Sequence, residues 1–146
     1  MQSITSTWFE CAAKYERTTE DGDKKKVTET YVVEADSFGE AEKKIIEELS
    51  PYVSGELEIK KINPMSISEF FFSEKDADDK WYKCKLVFIT IDEKSGKEKK
   101  SATSYIVQAN SLATALNYMT NEMSNTMIDY VASNISETKI MDVFRR

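Results

Sequence analysis

Residues 8–20, WFECAAKYERTTE, return in diverged form at residues 81–93 as WYKCKLVFITIDE. In the first stretch Phe9, Cys11, Ala13 and Tyr15 alternate with Trp8, Glu10, Ala12 and Lys14, and in the second Tyr82, Cys84, Leu86 and Phe88 keep the same phase. A period of two is the spacing of a strand with one buried face. The duplication also continues beyond these strands. One residue is inserted in the turn that follows, and then Gly22, Lys25, Lys26, Tyr31, Val33, Ala35, Ser37, Ala41 and Glu48 match Gly96, Lys99, Lys100, Tyr105, Val107, Ala109, Ser111, Ala115 and Glu122. Loss of one residue after the helix brings Ile62, Ile67 and Phe71 onto Ile135, Ile140 and Phe144. Length changes in turns cost little.

Each copy reads as strand, strand, helix, strand. Glycines in Glu20-Asp21-Gly22-Asp23 and in Asp92-Glu93-Lys94-Ser95-Gly96 supply the positive φ of a hairpin turn. Second strands follow at residues 27–34 and 103–108. Ser37-Phe38-Gly39-Glu40 has capping-box spacing, which predicts that Ser37 accepts the Glu40 amide while the Glu40 carboxylate returns to the Ser37 amide. Phe38, Ala41, Ile45 and Leu49 then fall on one helical face, as do Leu112, Ala115, Met119 and Met123. Pro51 ends the first helix. Strands at 57–62 and 130–135, and short strands or edge segments at 67–72 and 140–144, complete the copies.

The expected fold is therefore α+β: a tandem ββαβ duplication with mostly antiparallel sheet, one helix per copy and pseudo-twofold symmetry. Repeats of this length commonly bury their apolar faces against each other. We expect a single domain over 1–146, with repeats at 8–72 and 81–144 and an acidic connector at 73–80. Ser73 followed by acidic residues suits a helical turn in that connector. Its carboxylates Asp76, Asp78 and Asp79 read as solvated charge, since they lack the glycine and distal glutamate of a calcium loop.

A chain of 146 residues with 40% hydrophobic content can build a core without staples. No apolar run reaches the length of a membrane span, and residues 1–7 lack the basic and apolar regions of a secretory leader. Two cysteines at equivalent repeat positions read as small core residues, in keeping with a reducing cytoplasm; a Cys11 to Cys84 bridge is the minority alternative.

The stretches KKVTETYVVEADSFGEAEKKIIEELSPYVSGE (25–56), DKWYKCKLVFITIDEKSGKEKK (79–100) and ISETKIMDVF (135–144) resemble the domain-of-unknown-function 4494 family. The resemblance implies an origin in Bacteroidetes or in phages and mobile elements associated with them, and it carries no activity, cofactor or catalytic residue. This chain departs from the family at its C-terminus, where Arg145 and Arg146 stand in place of a proline and aromatic ending.

The chain has no histidine, which removes the usual general base near neutral pH and the commonest metal ligand. It has neither phosphate-loop motif, and its cysteines are too few for a Cys₄ site. Carboxylate pairs such as Asp129 with Glu137, or Asp142 with Glu69, could do acid/base or metal work in principle, but solubilising charge is the simpler reading in a chain with 26 acidic residues. We therefore expect no catalysis, no cofactor and no metal.

The candidate binding residues are Trp8 and Trp81, Tyr31 and Tyr105, and the hairpin lysines Lys25, Lys26, Lys99 and Lys100. Exposed tryptophans would make two symmetric patches, whereas buried ones would be ordinary core. Phe70-Phe71-Phe72 poses the same choice, because successive strand residues cannot all face inward. The leading expectation is a non-catalytic binding or assembly protein, with a protein or small-ligand partner held at the repeat junction, no membrane partner, and a homo-oligomer as one form. The alternative is a single-stranded DNA- or RNA-binding accessory protein, with lysines on phosphates and aromatics under bases. A net charge of −6 opposes it.

Overall fold

The structure, a computed structural model, describes residues 7–146, so most of the leader expectation lies outside the described residues. Strands β1 (Thr7–Thr18) and β2 (Lys24–Ala35) form a hairpin, followed by helix α1 (Phe38–Leu49), a 3-10 turn at Ser50–Tyr52, β3 (Glu58–Pro64) and β4 (Glu69–Phe71). The second copy runs β5 (Lys80–Ile91), β6 (Glu98–Ala109), α2 (Leu112–Glu122), β7 (Asp129–Glu137) and β8 (Ile140–Phe144). The duplicated ββαβ plan is therefore present, with two helices and two four-stranded, mostly antiparallel sheets. Both hairpins turn on a glycine at positive φ, Gly22 at 83° and Gly96 at 68°.

The short tail strands do not stay with their own copies. The sheet orders are β3-β1-β2-β8 and β7-β5-β6-β4, so β8 of the second repeat lies parallel to β2, and β4 of the first repeat lies parallel to β6. The reason is reach. From Pro64 at the end of β3 to Glu69 at the start of β4 there are five residue steps, a span of at most about 18 Å. The position beside the open edge of β2 is three strand spacings from β3, about 14 Å in a straight line, which leaves only about 4 Å of slack for a path that must also clear the helix or the opposite face of the sheet. The exchanged strand accordingly completes the other sheet. Packing divides the chain the same way, into a first unit ending at Ser66 plus Lys139–Arg146, and a second unit, Ile67–Thr138.

Each unit has a core of its own. In the first, Phe9, Cys11 and Ala13 of β1 and Tyr31, Val33 and Ala35 of β2 meet Ala41, Ile45 and Leu49 of α1, with Phe144 of β8 packed against them. In the second, Tyr82, Cys84, Leu86, Tyr105 and Val107 meet Ala115 and Met119, and Phe71 of β4 joins them. The register supports this phase directly: Phe9 pairs with Val33 and Cys11 with Tyr31, while Tyr82 pairs with Val107 and Cys84 with Tyr105. Each exchanged strand puts a phenylalanine flat on the tyrosine of the neighbouring strand, Phe144 on Tyr31 at 5.8 Å and Phe71 on Tyr105 at 5.6 Å. The cysteines are free and buried, one per core; burial first, then the Glu10 charge, pushes the Cys11 thiol up to about 11.

Several local expectations change. Ser37 caps α1 through the Glu40 amide at 3.1 Å, but the Glu40 carboxylate reaches the Asp36 amide rather than that of Ser37. Phe38 and Leu112 sit at the first turn of their helices, short of the sheet, and are exposed instead of core; Phe38, 56% exposed, still meets Phe9 edge-on at 5.1 Å. The connector makes no helix, only a turn in which the Asp78 amide donates to the Lys75 carbonyl. Asp129 and Glu137 stand at opposite ends of β7, about 27 Å apart along an extended strand, and cannot converge.

Since β8 finishes the first sheet, Phe144→Ala in the second repeat should speed amide hydrogen exchange in β2 of the first, with a stability loss below the about 3–5 kcal/mol of a fully buried phenylalanine. Exchange in β5 and β6 should be little changed. Equal acceleration in both sheets, or none in β2, would contradict the exchange.

Candidate functional site

The sequence candidates are scattered by the fold. Trp8 and Trp81 are 4% and 3% exposed, on the sheet faces turned away from the helices, so neither ring forms an exposed patch. Tyr31 and Tyr105 are also buried. Lys25, Lys26, Lys99 and Lys100 are exposed, but strand alternation sends the two lysines of each pair to opposite faces. Tyr31, six residues from Lys25, is about 20 Å along the strand. Lys26 faces Glu16 across the hairpin and shares a shallow cleft with Lys14, Glu56 and Glu58, so carboxylates surround it.

What the sequence did not reveal is a cleft in the second unit, of about 400 Å³, within the size range of small-molecule sites. Phe72, Tyr118 of α2 and the carboxamides of Gln108 and Asn121 line it, and Ser73, Glu74 and Lys75 of the connector form one wall. The wall is held in place by Asp78. This carboxylate, read as solvated in the sequence, is 3% exposed. The Ser73 hydroxyl donates to it, and the Tyr118 hydroxyl donates to the same oxygen at 2.7 Å. Burial works against the Asp78 charge, but hydrogen bonds from Ser73 and Tyr118, the nearby Lys75 and the Asn110 backbone together hold its carboxyl below the usual aspartate value. Bonding to Asp78 in turn raises the Tyr118 phenol.

The Ser73 amide donates to Gln108 Oε1 at 2.8 Å, which ties the connector to a carboxamide that lines the cleft. The same link recurs in the first unit, where the Arg146 amide donates to Glu34 Oε1 at 3.0 Å. There the guanidinium pairs with Asp36 and with Glu40 at 3.0 Å. Phe72 meets Trp81 edge-to-face at 5.7 Å and stacks on Phe70 at 6.3 Å, while Phe71 turns to the core. The three phenylalanines thus divide as alternation requires, and both Phe71 and Phe72 border the cleft. At the start of β4, burial and then the Glu122 charge raise the Glu69 carboxyl, whose Oε2 has no hydrogen-bond partner among the described residues.

The first unit has a polar cluster without a counterpart in the second. Tyr15 and Tyr31 both donate to Glu29 Oε2, at 2.7 and 3.0 Å, and Arg17 pairs with the other oxygen at 3.0 Å. Repeat matching puts Phe88, Thr103 and Thr90 at the positions of Tyr15, Glu29 and Arg17. Burial first, then the Glu29 bond, raises the Tyr15 phenol; burial, then Tyr15 and Glu29, raises Tyr31 as well. Among the described residues no three His, Cys, Asp or Glu side chains gather as a metal-binding group, and no helix is long and apolar enough to cross a membrane.

Because the folded Asp78 carboxyl lies below its unfolded value, the stability it contributes is present above the ordinary aspartate range, about pH 4, and is lost as pH falls through the folded value. Asp78→Asn should therefore be less stable than the parent protein from pH 7 to 5, with the gap narrowing below about pH 4. Urea unfolding at a series of pH values checks this, and a gap that stays constant or widens in acid contradicts it.

No curated protein matches the chain at a significant level. The family model described as "Domain of unknown function (DUF4494)" matches residues 7–146, which takes in both copies, the connector wall and the exchanged strands; the chain belongs to that family.

Proposed function

We propose that this is a non-catalytic binding protein that takes a small, ring-bearing ligand with a hydrogen-bonding edge in the connector-walled cleft of the second unit. The observation that carries this reading is the wall itself: a buried, hydrogen-bonded Asp78 fixes an otherwise polar loop against α2. Ordering such a segment costs roughly 1–2 kcal/mol per residue, and an ordered polar loop beside rings and carboxamides is what a preformed ligand site needs. Phe72 and Tyr118 supply apolar faces, while Gln108 and Asn121 supply directional polar groups.

The chemistry of the other perturbed groups favours binding over catalysis. The shifted thiols and phenols move away from neutrality, toward their inert protonated forms. Glu69 moves toward neutrality, but its neighbours Glu122 and Tyr105 offer it no activated nucleophile.

Trp81 is the natural reporter, through its contact with Phe72. In a Trp8→Phe background, screening heteroaromatic compounds should find ligands that change Trp81 emission saturably, with about tenfold weaker affinity in Asn121→Ala, a change worth about 1.4 kcal/mol. Ligands that bind equally well to Asn121→Ala and Gln108→Ala would place the site elsewhere.

The single-strand reading keeps one specific support, the exposed lysines repeated on both hairpins. Oligonucleotides titrated at two salt concentrations should give no saturable, salt-sensitive signal. Such a signal, abolished when Lys25, Lys26, Lys99 and Lys100 are changed to glutamate, would replace the present proposal.

A further inference from the structure

The first unit contains a separate cleft of about 290 Å³ where the end of α1, the Tyr15 and Tyr31 rings and β8 come together. Its polar equipment is one-sided. The hydroxyl protons of Tyr15 and Tyr31 are both committed to Glu29, so each phenol oxygen offers only lone pairs elsewhere. Glu48 from α1 and Asp142 from β8, whose Oδ1 also accepts the Val143 amide at 2.8 Å, add two carboxylates, and among the described residues no lysine or arginine lines the cleft. Arg17, the cation of the cluster, engages Glu29 outside that lining. Tyr52, 84% exposed, stands at the mouth with its ring available.

We infer that this cleft binds a guanidinium group, seated on acceptors from Glu48, Asp142 and the two tyrosines and covered by the Tyr52 ring. A guanidinium carries five N–H donors, no acceptor and a permanent charge, the complement of the carboxylates and committed phenols inside the cleft. It also stacks on tyrosine faces. The second unit supplies an internal contrast. It keeps carboxylates at the two matching positions, Glu122 and Glu69, but replaces Tyr15 by Phe88 and Glu29 by Thr103, so the committed phenol pair is missing there. The site is thus a specialisation of one copy, and it is independent of the cleft proposed for the ring-bearing ligand.

Phenylguanidinium, phenylurea and the peptide acetyl-Gly-Gly-Arg-Gly-Gly-amide can be titrated by NMR, following the Met141 methyl. Phenylguanidinium should bind saturably, at least tenfold tighter than neutral phenylurea, and Glu48→Gln or Asp142→Asn should each weaken it about tenfold. Both side chains are solvent-accessible, and thermal melts verify that the variants fold. Tighter binding of the peptide than of phenylguanidinium identifies a polypeptide arginine as the source, whereas weaker binding identifies a free small guanidine. Equal affinity for phenylurea and phenylguanidinium, no binding of phenylguanidinium, or full binding retained by Glu48→Gln with Asp142→Asn would overturn the inference.

Discussion

The constraint on which this architecture rests is the reach of residues 65–68. The five steps from β3 to β4 leave little slack for the chain to pass over its own sheet to the vacant edge of β2; β4 enters the second sheet and, on the same duplicated plan, β8 enters the first. Parallel neighbours need long connections, and here each connection runs through the other copy. Neither repeat holds a full sheet by itself. The aromatic pairs Phe144 with Tyr31 and Phe71 with Tyr105 seal the added strands onto the cores, and the amides that follow them are caught by Glu34 and Gln108.

The same constraint shapes the clefts. Beyond β8, Arg146 ties down to Asp36 and Glu40 at the start of α1. After β4 the chain continues into the connector, which folds against α2 and becomes a wall. Equivalent positions in the two copies thus acquire different surroundings, and the divergence of Tyr15, Glu29 and Arg17 from Phe88, Thr103 and Thr90 adds a polar cluster to one copy alone. Duplication followed by such local change gives two clefts of unlike chemistry on one plan.

The elements were legible in the sequence because they rest on local periodicity. Phe9, Cys11 and Ala13 alternate as strand residues should, and Ala41, Ile45 and Leu49 follow the helical period; the structure buries all six. Ser37 announced its cap. What stayed hidden depends on contacts between residues distant in sequence. Nothing near Asp78 distinguishes it from the solvated Asp76 and Asp79, since its partner Tyr118 lies 40 residues away. The matches of Ile67 with Ile140 and of Phe71 with Phe144 marked the tail strands, but no periodicity says which sheet a three-residue strand joins. The lysine and aromatic candidates looked adjacent along the chain, and the same alternation that revealed the strands separates them in space.

The path of the chain also sets an order of assembly. The second unit is one continuous stretch, whereas the first is made of an early segment and a late one, separated by the whole of the second. During synthesis β1, β2, α1 and β3 leave the ribosome with the far edge of β2 unprotected, and that edge stays open until β8 emerges. For the time it takes to make about seventy residues, at the usual 5–20 residues per second, the nascent chain carries an unpaired strand edge that any other nascent copy could occupy.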